Sequence, residues 1–364
     1  WLGRHVDSMR HGQAAMRALA TDDPEWYRCA GMVANAAGNL GDMEALVAVA
    51  NTLCGCAPAP ELAGWLAVAL ARAADRLLLA GRGDFAEGLL ARLDAIDAEA
   101  EVVTPGVRGW VRRARGFAAL SAGDAEGFVA AMLTAADDFD AAGDARDACL
   151  QRGNAGYGYL QLGAADLAAE QLRSARTTAI ELGLSNVVTS VEADLGVALA
   201  WLGHAGDAID VLARVVTAAR DQGNPRIEAG ARANLALVHL GEGALDRAAE
   251  VVHGGAHLTL AVTQRAQLAA TAARVHLAAG RTDEAARALA PALAAVETAT
   301  TQLECELLIR VTHADLLAAQ RRFEEAFAVR AAAAALVRER ADRIGAPALR
   351  AAFLDRHPWN ARAR

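Results

Sequence analysis

A small residue returns about every 40 positions along this chain, at Ala45, Ala86, Gly127, Ala168, Ala208, Ala248, Ala285 and Ala326. The separations are 41, 41, 41, 40, 40, 37 and 41 residues. A glycine usually stands five residues before the small one (Gly81, Gly163, Gly203, Gly243, Gly280). A leucine or valine usually stands four residues after it (Leu90, Leu172, Leu212, Val252, Leu289). A fixed period of this size marks a repeat array, because each unit is too small to bury its own apolar face and must be covered by its neighbours. Such an array offers extended surface, so its function is expected to be of the binding kind.

Alanine supplies 94 of the 364 residues and aromatic side chains only 4%. Strands favour β-branched and aromatic residues, whereas alanine and leucine are the strongest helix formers. The expected class is therefore all-α with close helix packing. The chain contains no lysine, and its 36 basic residues are all arginine. A Walker-type phosphate loop, a kinase nucleotide-binding lysine and a Schiff-base lysine are thereby excluded within this segment. The net charge of −8, with both signs mixed throughout, lacks the basic footprint of nucleic-acid binding. The arginines near the end, from Arg338 to Arg364, read as a solvated helix face. Five scattered cysteines form no disulfide framework, and Cys54-Gly55-Cys56 is too tightly spaced for a zinc knuckle. No apolar run reaches the length of a membrane span, so neither membrane nor nucleic-acid partners are expected, and a cytoplasmic location is.

The units around Ala168, Ala208 and Ala248 show the internal design. A periodic segment such as 149–160 ends at Leu162-Gly163, with equivalents at Leu202-Gly203 and Leu240-Gly241. A second helical segment carries the recurring small residue and ends at Gly143, Gly183 or Gly223. Glycine just past a helix closes the last carbonyls in a left-handed turn. Asp144, or Asn224 with Pro225, then opens the next unit. Twelve residues before six of the recurring small residues lies a second small one: Ala74, Gly156, Gly196, Ala236, Ala273, Ala314. Nine residues before lies a larger one: Leu77, Tyr159, Leu199, His239, His276, Leu317. Small residues on both helices let the backbones approach while the bulky one fills the groove beside them.

These positions resemble the tetratricopeptide repeat. Asn154-Ala155-Gly156-Tyr157-Gly158-Tyr159 and Asn234-Leu235-Ala236 look like its first-helix signature, and Gly203 to Ala208 looks like its turn and second helix. The resemblance implies a right-handed α-α superhelix, a solenoid of about eight helix-turn-helix repeats, with a period longer than the usual 34 or so. Residues 1–345 would form the solenoid, with 1–20 the second helix of a truncated repeat in a longer protein. Residues 346–364 would be a C-terminal tail or cap. Cys149 to Val252 and the ending Leu349 to Pro358 resemble the C-terminal regions of bacterial serine/threonine protein kinases. Related regions occur in multidomain ATPase regulators.

In tetratricopeptide arrays the first helices line the concave face, where an asparagine often bonds the backbone of an extended peptide. Asn154, Asp194 and Asn234 recur fourteen residues before their small residues, followed by Thr271 and Thr312. The resemblance makes Asn154, Asp194 and Asn234 candidate partner-binding residues, with Tyr157, Trp201, Arg152 and Arg232 adding stacking and carboxylate contacts. The bland alternative is that these polar residues only stitch adjacent repeats together. His253 and His257 have a metal-like spacing, but Gly254-Gly255 argues against a continuous helix, and a tightened connection explains the short 37-residue step. No metal, cofactor or catalytic set is expected. The implied function is a non-catalytic protein- or peptide-binding regulatory domain of a bacterial signalling protein, attached to a serine/threonine kinase. Two alternatives stand beside it. A ligand-sensing domain of an ATPase or transcriptional regulator would show a closed superhelix around a cavity. A self-assembly scaffold would associate through its uncapped end.

Overall fold

The computed structural model describes residues 4–98, 104–299 and 303–364. Among them there are helices and turns and no strand. A leading helix α1 (His5–Ala18) precedes eight helical hairpins: α2 (Pro24–Leu40) with α3 (Met43–Gly55), α4 (Ala63–Leu79) with α5 (Gly83–Ala98), α6 (Pro105–Ser121) with α7 (Ala125–Ala141), and α8 (Ala145–Gln161) with α9 (Ala165–Glu181). The series continues through α10 (Ser185–Trp201) with α11 (Ala205–Asp221), α12 (Pro225–Gly241) with α13 (Leu245–His253), α14 (Val262–Ala278) with α15 (Thr282–Thr298), and α16 (Glu306–Ala319) with α17 (Phe323–Asp342). Two short helices close the chain, α18 (Pro347–Asp355) and α19 (Pro358–Ala363). The fold is an α-α superhelix of tetratricopeptide-like repeats.

The period has a simple local origin. Most helices run 17 residues, and a three-residue turn makes a step of 20, two of which make one repeat. Glycines 123, 143, 163, 183, 203, 223 and 243 all have positive φ. The residue after such a glycine donates back to the preceding helix, as from Ala164 to the Tyr159 carbonyl at 2.9 Å, and so satisfies an orphan carbonyl. Where that residue is acidic or amide it also caps the next helix: Asp144 accepts from the Asp147 amide at 3.0 Å, and Asn224 from Ile227 at 3.2 Å. In the repeat beginning with α12 the helix runs through Gly241, and the left-handed residue is Gly243. In the last repeat Arg321 takes the left-handed place that glycine holds elsewhere.

The recurring small residues are the joints between paired helices. Ala86, Ala168, Ala208, Ala248 and Ala285 are fully buried. A methyl group placed on Gly156 would lie 2.6 Å from Leu172 Cγ, and one on Gly196 would lie 2.6 Å from Leu212 Cγ. The glycine of the first helix thus receives the leucine that follows the small residue of the second. The short 37-residue step falls where α13 ends after nine residues at Gly254.

Successive hairpins curve until the array meets itself. Helix α12 touches α2, the turn at Gly41 faces the backbone of Ala261, and Gly81 faces Thr263 and Leu303. Closure encloses the concave side as a lumen. Helix α1 packs on α2 through Gly12, which sits against Val33.

Gly196→Ala is expected to destabilise the protein by about 1–3 kcal/mol through overpacking, although alanine is the better helix former by about 1 kcal/mol. Combining it with Leu212→Ala should be less damaging than the two losses added together. Urea denaturation of the four-member cycle checks this, and strict additivity would contradict the joint.

Candidate functional site: a divided lumen

Helices α8, α10 and α12 each run the depth of the lumen and line two chambers in turn. Their N-terminal halves, through Arg146, Asp147, Leu150, Asn186, Ser190, Arg226 and Ile227, face an upper chamber of about 1010 Å³. Their C-terminal halves, through Tyr157, Gln161, Asp194, Val197, Trp201, Asn234 and Leu237, face a lower chamber of about 150 Å³. Helices α1, α2, α4 and α6 complete the upper chamber, and the starts of α14 and α16 with α18 and α19 complete the lower one.

The structure brings together Tyr157, Asp194, Trp201 and Asn234, all on the wall of the lower chamber. Asn154 lies between the chambers by helical register and donates to Gln151 Oε1 at 2.8 Å, within its own helix. Two candidates lie elsewhere. Arg152 reaches away from the lumen to pair with Asp140 of α7, because the step of two residues from Asn154 turns it to another helix face. Arg232 is buried, donates to Glu228 Oε1 at 2.8 and 2.9 Å and to the Val251 carbonyl at 3.1 Å, and so ties α12 to the end of α13. A side chain on Gly254 would collide with that guanidinium, and one on Gly255 with Leu268 and the stem of Arg232, which accounts for the glycine pair between His253 and His257. Thr271 and Thr312 are fully buried between helices and do not continue the polar row into the lumen.

Enclosure sets the electrostatics of the lower chamber. Burial pushes the Asp194 carboxyl up to about 7, against the pull of Arg226 and with the help of Glu304. Glu304 lines the same chamber beside Tyr157, and burial of its carboxyl raises its pKa too. The Tyr157 hydroxyl is buried without a well-formed hydrogen bond, and burial beside Glu304 pushes it well above the usual phenol range. Both carboxyls are thus held toward their neutral, donor-capable forms.

The C-terminal segment closes this chamber. It crosses from α17 to the first turn of the superhelix, where Glu126 accepts from the Gly345 amide at 2.5 Å and the Ala346 amide at 3.2 Å, at the start of α18. Arg343 donates to the Ala122 carbonyl, and Arg356 pairs with Asp166 at 3.3 Å. The chain lies directly on Gly163: a methyl group there would fall 2.5 Å from the Ala352 carbonyl oxygen and 2.8 Å from the His357 nitrogen. His357 packs edge-on to Trp201 with ring centres 5.0 Å apart and caps α19 by accepting from the Asn360 amide at 3.4 Å. Burial, with Arg340 nearby, lowers its pKa to about 4.

Other lumen residues escaped the sequence reading. The upper chamber is lined by Arg72, Asp75 and Arg76 of α4, Trp110 and Arg113 of α6, and Arg226 of α12. The signal was present: fourteen residues before Gly127 and Ala86 stand Arg113 and Arg72, so the polar row of Asn154, Asp194 and Asn234 extends two repeats toward the N-terminus. Among the described residues no group of three or more His, Cys, Asp and Glu is arranged to hold a metal ion. No helix there is long and apolar enough to cross a membrane.

No protein-family profile and no curated protein matches the chain. Solved structures do. A Rap protein complexed with Competence and Sporulation Factor matches 93% of this chain and 95% of its own, with TM-score 0.61 and 13% identity. NprR in complex with its cognate peptide NprX matches 90% and 92%, with TM-score 0.59 and 13% identity. The APC/C protein Cut9, in a hetero-tetramer with Hcn1, has TM-score 0.56 and 16% identity over 85% of this chain and 53% of that one. At such identity the likeness establishes the fold, a helical repeat superhelix.

Gly163→Ala and Gly203→Ala impose the same left-handed strain, but only Gly163 lies under the C-terminal segment. Gly163→Ala should therefore raise hydrogen exchange across 346–364 while Gly203→Ala leaves it unchanged; equal effects would contradict the docking.

A pH test follows from His357, whose folded pKa is depressed. Its contribution is present above the unfolded value of about 6.5 and is lost as pH falls through about 4. Asp194 has the opposite sign: its raised pKa disfavours the fold as pH climbs from about 4 through 7. Exchange protection of 346–364, corrected for intrinsic rates, should fall between pH 6.5 and 4 in the native chain. His357→Asn, which keeps a capping acceptor but removes the titration, should flatten that dependence, and Asp194→Asn should improve thermal stability above pH 7.

Proposed function

We propose that this chain is a non-catalytic regulatory receptor domain that takes a peptide into its enclosed lumen. The observation that carries the reading is the closed superhelix, whose first helices present polar and aromatic side chains to a chamber of about 1010 Å³. A space of that size suits a ligand buried over most of its surface, and amides such as Asn35 and Asn186 suit a peptide backbone. Rap and NprR, which share the fold, are described in complex with Competence and Sporulation Factor and with a cognate peptide, and this supports the same class of ligand here. Attachment to a serine/threonine kinase and a cytoplasmic setting belong to this proposal as well, the former on the resemblance of Cys149–Val252 and Leu349–Pro358 alone. The second reading, sensing of a small metabolite by an ATPase or transcriptional regulator, is favoured by the same enclosure.

Affinity selection of a randomised heptapeptide library on the immobilised full chain tests the proposal. Ser190 lines the upper chamber from α10, so Ser190→Trp should intrude into it and weaken retrieved peptides at least about tenfold, with helicity unchanged. Recovery of no peptide would remove the reading; undiminished binding to the obstructed variant would remove the lumen as its site.

A further inference from the structure

Among the described residues the upper chamber is lined by seven arginines, Arg4, Arg28, Arg72, Arg76, Arg113, Arg146 and Arg226, against three carboxylates, Asp7, Asp75 and Asp147. Two of the carboxylates are paired and the third lies among arginines, while the second oxygen of Asp75 is buried without a hydrogen bond. Arg113 donates to Asp75 at 2.6 Å with both side chains buried, and Arg4 pairs with Asp7 at 2.6 Å on the rim. Asp147 neighbours Arg146 and Arg113, which oppose the effect of its burial.

Among the described residues Arg72, Arg76 and Arg226 make no ion pair within 4 Å, although the charge of Asp147 acts on Arg72. The Arg72 guanidinium lies 4.4 Å over the Trp110 ring, and its Nε is buried with no hydrogen-bond partner. Arg76 is enclosed and donates only a long bond of 3.4 Å to Asn39. Burial, followed by the charges of Arg113 and Arg226, lowers its pKa to about 9. Arg226 also has a buried, unpartnered Nε, and its charge reaches Asp194 and Glu304 in the lower chamber. A protein gains nothing in the empty state from like charges gathered out of bulk water; the arrangement becomes favourable when an anion brings the missing counter-charge.

We propose that the upper chamber is built for a short acidic peptide, whose carboxylates pair with Arg72, Arg76 and Arg226 while its backbone meets Asn35 and Asn186. This rests on the peptide-receptor reading above and adds the chemistry of the ligand. Guanidinium groups bind carboxylates as planar forks, and the Arg72–Trp110 stack holds one fork in place. The apolar wall segments at Met32, Leu150, Val187 and Ile227, and the sheer volume, exceed what a small inorganic anion requires. The surplus positive charge is local, because the whole chain carries −8, and a field focused inside a cleft of otherwise acidic protein selects for sign.

The test compares two pools of heptapeptides on the full chain, one rich in Asp and Glu and a matched one with Asn and Gln in their place, read through tryptophan emission and direct titration. The acidic pool should bind at least about tenfold more tightly, and Arg76→Gln and Arg226→Gln should each erase the preference. Both variants should keep or raise the melting temperature of the unliganded protein, so loss of binding is separated from loss of fold. Equal binding of the two pools would overturn the acidic specificity while leaving the peptide reading intact. Binding of neither pool would overturn both. Survival of the preference in both variants would overturn the arginine assignment, and inorganic phosphate displacing the acidic pool at equal concentration would replace the peptide with a small anion.

Discussion

The close approach of paired helices at a glycine or alanine is the contact on which everything else depends. Where Gly196 receives Leu212 and Gly156 receives Leu172, the backbones lie near enough for 17-residue helices and three-residue turns to stack with a constant step. A constant step produces constant curvature, and by the sixth hairpin that curvature brings α12 back to α2. The lumen is a consequence of the joint. Were each repeat to sit slightly wider, the same side chains would face open solvent, and neither the depressed His357 nor the raised Asp194 would exist.

Closure changes the meaning of ordinary residues. An aspartate or arginine on an open concave face would titrate as it does in water. Here Asp194, Glu304, Arg76 and His357 are all displaced toward their neutral forms by enclosure before any partner charge is considered. The two chambers use this differently. The lower one holds carboxyls and aromatics and is shut by the protein's own C-terminal segment, while the upper one is lined by guanidinium groups, those of Arg72, Arg76 and Arg226 among them. Arg226 stands between them, its charge felt by groups in both.

Enclosure also bears on the choice between readings. A groove for an extended protein partner needs an open concave face, whereas a sensor needs a bounded cavity. The superhelix here is bounded, by α1 packed on α2 and by the segment from Gly345 to Asn360. A short ligand held inside therefore agrees better with the structure than a long partner laid along it, and the ligand-sensing alternative draws support from the same geometry.

The sequence by itself determined the helices, their pairing and the joints, because those depend on residues close in the chain: a left-handed glycine every 20 positions, a capping Asp144 or Asn224 beside it, a small residue opposite a leucine. It also pointed to the lumen-facing register, since Asp194 and Asn234 share their place on successive helices. Arg152 and Arg232 show its limit: two residues of displacement along a helix, or one carboxylate at Glu228, turns an arginine from a ligand contact into a strut. What only the tertiary structure decided is the closure, the division into chambers and the docking of His357 on Trp201. These join residues more than 150 positions apart, such as Glu126 with Ala346, and rest on small curvature added over many repeats, which no local pattern records.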